Sequence, residues 1–109
     1  MAQTIAAALE TAGMVDFKGE YAQIPEHMQL ALRRYVLEGI KPGNFLTAAI
    51  CNDLCGAVFR ADDTNYPLLK LYLQWLFNVA PGICWGSQEK MEVWMHERAA
   101  EKNAKNSAM

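Results

Sequence analysis

The apolar residues of this chain recur every three or four positions, and nowhere do they alternate at a period of two. A helix gathers every third or fourth side chain on one face, whereas a half-buried strand gathers every second, so the rhythm restricts the chain to helices. The hairpin dipeptides Asn-Gly and Asp-Gly are missing as well, which removes the strongest short-range signal for strand pairing. The reading is an all-α, compact bundle of four core helices plus a short N-terminal helix, forming one domain over residues 1–109. A length of 109 residues suits one domain, and a hydrophobic fraction of 52% is enough for a core without staples.

Turn and cap residues divide the chain. The first helix is expected from Thr4, as N-cap, to Ala12, with Gly13 as its stop. So short a helix is marginal alone and must pack on the body. With the extended "GMVDFKGEYAQI" it makes an N-terminal unit over residues 1–23, tacked down by Met14, Phe17 and Tyr21. The second helix opens at Pro25 and stops at Gly39, with Met28, Leu32, Tyr35 and Val36 on its inner face.

The third helix is read as continuous through "FLTAAICNDLCGAVFRADDTN". Leu46, Ile50, Leu54, Ala57 and Ala61 form its core stripe. Phe45, Ala49, Asn52, Gly56 and Phe59 form a second, small-and-aromatic face that suits either a central position or a partner. The fourth, "PLLKLYLQWLFN", is apolar almost all round, which predicts deep burial of Leu69, Leu73 and Leu76. Ser87 caps the fifth, whose apolar side carries Met91, Trp94 and Met95. The polar tail, residues 101–109, is expected to fray.

Charge and motifs narrow the function. Ten Lys and Arg against twelve Asp and Glu leave a net charge of −2, which argues against a surface built to grip phosphate. A small basic patch of Arg33, Arg34 and Lys41 keeps a helix-turn-helix-like nucleic-acid regulator as the alternative reading. That reading is disfavoured, because Glu89, Glu92, Glu97 and Glu101 accompany the cations of the last helix. The chain carries neither a glycine-rich phosphate loop nor a nucleophile elbow, and no enzyme is expected.

Asn52 and Asp53 interrupt an apolar run. We read them as flanking a second face rather than forming a catalytic pair, with Asp53 pairing with Arg60, Arg33 or Arg34 or capping a neighbouring helix N-terminus. The residues expected to touch a partner are Phe45, Asn52, Asp53, Phe59, Arg60 and Trp85. Trp85 joins them because it sits in a loop, where an aromatic anchors a partner or plugs the bundle end. Cys51, Cys55 and Cys84 read as reduced thiols packed as small hydrophobes rather than a zinc set. No metal or cofactor is expected.

The string "IPEHMQLALRRYVLEGIKPGNFLTAAICNDLCGAVFRADDTN", followed by "WLFNVAPGICWGSQEKMEVWM", resembles a family of small proteins encoded by tailed phages and prophages. The marks are "GIKPGNFL", "NDL", "RAD", "FNVAP" and "WGSQEK". The resemblance implies an accessory protein of the bacterial cytoplasm that binds a host or phage protein, in host takeover or against a defence system. The opening "MAQTIAAALETAGMVDF" lacks a basic n-region, and no apolar run reaches the roughly 18–20 residues that span a bilayer. Neither a signal peptide nor a membrane span is expected. The apolar second face of the third helix and the marginal first helix further predict a homodimer.

Overall fold

The computed structural model describes residues 5–107, and among them every regular element is helical. The described residues form six α-helices: α1 Ile5–Thr11, α2 Glu26–Glu38, α3 Asn44–Ile50, α4 Leu54–Arg60, α5 Leu69–Asn78 and α6 Gln88–Ser107. Single 3₁₀ turns occupy Gly19–Gln23, Tyr66–Leu68 and Gly82–Cys84. Among the described residues no helix is long and apolar enough to cross a membrane. The all-α bundle is as the periodicity requires. The proposed Thr4 cap lies outside the described residues.

The core centres on Trp75, which has no exposed surface. Its ring stacks on Phe17 at 4.7 Å between centroids, and its indole N–H donates to the Asp16 carbonyl at 2.8 Å. The connector between α1 and α2 is therefore held by an aromatic stack and a part-buried hydrogen bond, with Val15 and Ile24 buried on either side. Phe17 and Tyr21 tack it down as expected, but Met14 is exposed and Val15 takes its place. Other buried polar tips also find partners, as large amphipathic side chains must. Tyr35 Oη donates to the Cys84 carbonyl at 2.6 Å. Trp94 Nε1 donates to the Val36 carbonyl at 3.1 Å, and Tyr72 Oη to Asn65 Oδ1 at 2.6 Å.

The second helix follows its caps, with Leu32, Tyr35 and Val36 buried. Gly39 ends it in the left-handed region, at φ +72°. A Cβ there would lie 2.8 Å from both the Met95 carbonyl oxygen and Arg98 Cβ, so this glycine also sets how closely α2 approaches α6.

Two expectations are corrected. The third helix is not continuous: it breaks at Cys51–Asp53 into α3 and α4, and Leu54, placed in the core stripe, is exposed. On its supposed second face Phe45, Ala49 and Gly56 are buried. In α5 the buried arc is Leu71, Tyr72, Trp75 and Leu76, whereas Leu69 and Leu73 are only half-buried and Phe77 is exposed. At the polar end of the chain α6 continues to Ser107. Glu101 holds Arg98 at 2.7 Å and accepts the Ile5 N–H at 3.0 Å, and Lys102 reaches Glu38 at 3.4 Å.

Two substitutions test this packing by chemical denaturation. Leu76→Ala should cost about 2–5 kcal/mol, the range for a truncated core leucine, and half-buried Leu73→Ala clearly less. Gly39→Ala should cost more than the roughly 1–2 kcal/mol of a left-handed alanine alone, because its methyl also meets α6. A neutral Gly39→Ala would contradict the close approach of the two helices.

Candidate functional site

The break at Asn52 and Asp53 has a definite construction. Asn52 N–H donates to the Ala49 carbonyl at 3.1 Å, and Asp53 N–H to the Ala48 carbonyl at 2.8 Å. These are the two bonds of a Schellman motif, in which the residue after the cap adopts left-handed backbone. Asn52 does so at φ +61°, the only described non-glycine with positive φ. Gly13 fills the same position after α1, with the corresponding bonds to Glu10 and Leu9. Asn is the side chain that best tolerates this conformation after glycine.

Asp53 then starts the next helix. Its carboxylate accepts the Gly56 N–H at 3.0 Å as an N-cap. A Cβ on Gly56 would collide with the Asp53 carboxylate and come within 2.5 Å of Arg60 Nη1, so the acid and the guanidinium both lie over that glycine. Asn52 and Asp53 thus close one helix and open another.

This corner turns α4 outward. The helix has seven residues and buries only Gly56 and Ala57. Leu54 is left 62% exposed and Phe59 85% exposed. Phe77 at the end of α5 is 77% exposed, and Leu54 shares a small depression with Leu69 and Leu73. On the other side of the corner lies a cleft of about 490 Å³ between α3, α4 and α6, lined in part by Lys41, Cys51, Asp53, Arg60, Met91 and Glu92.

Of the residues expected to touch a partner, Asn52, Asp53, Phe59 and Arg60 cluster on the corner and α4, all exposed. Phe45 does not join them: it is buried and packs edge-on against Tyr72 at 5.2 Å. Trp85 is half-buried against the core. The basic trio is drawn to different neighbours. Arg33 pairs with Glu10 at 2.6 Å, Arg34 is exposed, and Lys41 lines the cleft beside Asp53 and Glu92.

The three thiols also differ. Cys55 is exposed, Cys51 half-buried and Cys84 buried. Burial pushes the Cys84 thiol up to about 12. Burial also raises Cys51, against an opposing pull from Lys41. Neither is an activated thiolate at neutral pH. Among the described residues no three His, Cys, Asp or Glu side chains gather as a metal set.

Leu54 and Phe77 were missed by periodicity, which places an apolar residue on a face without saying whether anything covers it. The Asn-Asp pair was the available signal, since a residue that tolerates left-handed backbone followed by a strong N-cap spells a helix end and a helix start. Comparison with family models, with curated proteins and with solved structures finds no match.

The corner separates two substitutions at neighbouring positions. Asp53→Ala should cost about 0.5–2 kcal/mol for the lost cap. Asn52→Gly should be neutral or stabilising, while Asn52→Val should cost at least the roughly 1–2 kcal/mol of a left-handed L-residue. Urea titration of the three variants checks this. Equal tolerance of glycine and valine at position 52 would contradict the positive φ.

Proposed function

We propose that the protein is a non-enzymatic interaction module that binds a protein partner through α4, with Leu54 and Phe59 as its apolar anchors. The observation that carries this reading is the division of α4. A seven-residue helix spends its glycine and alanine on the core and turns its leucine and phenylalanine to solvent. Exposed large hydrophobes rimmed by polar groups are the usual composition of a binding patch. Here Asn52, Asp53 and Arg60 supply the rim. The sequence resemblance favours a bacterial host or phage protein as the partner, met in the cytoplasm by a phage-type accessory protein.

A second copy of the chain is the symmetric form of the same reading, although burial of Phe45, Ala49 and Gly56 removes most of the face on which a dimer was first expected. The nucleic-acid reading has less support, because Arg33 is already paired with Glu10.

The test is a double variant, Leu54→Ser with Phe59→Ser, whose exposed positions leave the fold intact. Anchor residues of this kind contribute about 2 kcal/mol or more, roughly thirtyfold in Kd. Wild type should retain a protein partner from bacterial lysate at high salt, and the double variant should lose it. If light scattering shows a wild-type dimer that the double variant converts to monomer, the partner is a second copy. Identical behaviour of the two proteins in both measurements, or retention that salt abolishes, would reject the reading.

A further inference from the structure

The cleft beside the corner gathers sulfur. Cys51 Sγ–H donates to Met91 Sδ at 3.5 Å, and Met95, one turn further along α6, lines the same cleft of about 490 Å³. We propose that Cys51, Met91 and Met95 form a binding site for a soft monovalent metal ion, Cu(I) or its analogue Ag(I).

The donor set selects the ion. Thiolate and thioether sulfurs prefer soft, polarisable cations, and this preference separates Cu(I) from the harder divalent metals. Zinc and calcium sites draw on carboxylate, imidazole or several thiolates, and among the described residues these do not gather in threes. Thioethers are neutral, so one thiolate balances one monovalent charge. The rest of the lining brings no net charge, as Lys41 and Arg60 offset Asp53 and Glu92. A singly charged ion is therefore neutralised on binding, whereas a divalent ion would be left in charge excess.

The Cys51–Met91 pair is spaced close to what coordination needs, and Met95 lines the same cleft. Met91 and Met95 are four residues apart, so both thioethers rise from one face of α6. Taking about 2.3 Å as a metal–sulfur length, two sulfurs on a shared ion sit roughly 3.8–4.0 Å apart at tetrahedral to trigonal angles. The Cys51–Met91 separation of 3.5 Å needs to open by only a few tenths of an ångström. Cys51 faces the cleft because the chain leaves α3 there, as its C-cap residue. Met91 is buried and Met95 half-buried, with the cleft opening to solvent as the way in. On coordination the Cys51 thiol gives its proton to solvent and the sulfur bonds the metal, with no change of oxidation state.

The experiment uses the reduced full-length protein, anaerobically, with its methionine methyls labelled with carbon-13. Titration with Ag(I) should shift the methyl signals of Met91 and Met95, leaving Met14 and Met28 unmoved, and in the Cys55→Ser variant, which lacks the exposed thiol, it should end at one ion per chain. Competition for Cu(I) against a chromophoric chelator then gives the affinity. Cys51→Ser and Met91→Leu should each weaken it by at least about 10–100-fold, the loss seen even for outer-shell partners of a metal. Cys55→Ser should leave it unchanged. Leucine keeps the volume of methionine, and half-buried Met95→Leu repeats the test if Met91→Leu fails to fold. Binding that survives both methionine substitutions would mark ordinary thiol chemistry and overturn the site. Unmoved Met91 and Met95 methyls, absence of binding, or loss of the ion on Cys55→Ser would overturn it too.

Discussion

The left-handed turn at Asn52 is the constraint on which the second half of the molecule depends. Ending α3 there removes the Ile50 carbonyl from the helical ladder, and Gly86 N–H takes it up at 2.7 Å. Tyr35 Oη holds the Cys84 carbonyl two residues away, at 2.6 Å. The Cys84–Gly86 loop is thus held from α2 and from the end of α3 together. Ser87 follows directly and accepts the Lys90 N–H at 3.1 Å as the cap of α6. A non-glycine residue in left-handed backbone costs roughly 1–2 kcal/mol. The Schellman bonds, the Asp53 cap and the bond to Gly86 offset that cost with groups that would otherwise be unpaired.

The same turn determines what the surface displays. A continuous helix would have carried Leu54 inward with Leu46 and Ile50. After the corner, α4 meets the body through Gly56 and Ala57. Residues this small allow close approach, and Gly56 in particular leaves room for the Asp53 carboxylate and the Arg60 guanidinium. Leu54 and Phe59 then have no internal face to occupy. Local backbone chemistry at two residues accounts for an apolar surface that composition alone leaves unplaced.

Helix identity was legible wherever a cap coincided with the end of an apolar stripe. Pro25 with Gly39, Gly13, and Ser87 all mark real boundaries. The continuous third helix was misread because the spacing of Leu46, Ile50, Leu54 and Ala57 survives a corner that inserts no extra residues. Only the turn chemistry of Asn-Asp distinguishes the two. In α5 an almost uniformly apolar helix holds no information about which arc is covered, so Phe77 could not be told from Leu76. The end of α6 is held by Glu38 and by the Ile5 amide, partners distant in sequence. The candidate site was half legible, through Asn52, Asp53, Phe59 and Arg60. Burial of Phe45 against Tyr72, and the meeting of Cys51 with Met91, are tertiary facts without a local signature.

Backbone chemical shifts and three-bond couplings from Ile50 to Cys55, measured by NMR on the intact protein, read the left-handed corner at Asn52 itself. Helical values should stop at Cys51, φ at Asn52 should be positive, and helical values should resume at Leu54. An unbroken helical run through Asn52 and Asp53 would contradict the corner, and with it the outward turn of α4.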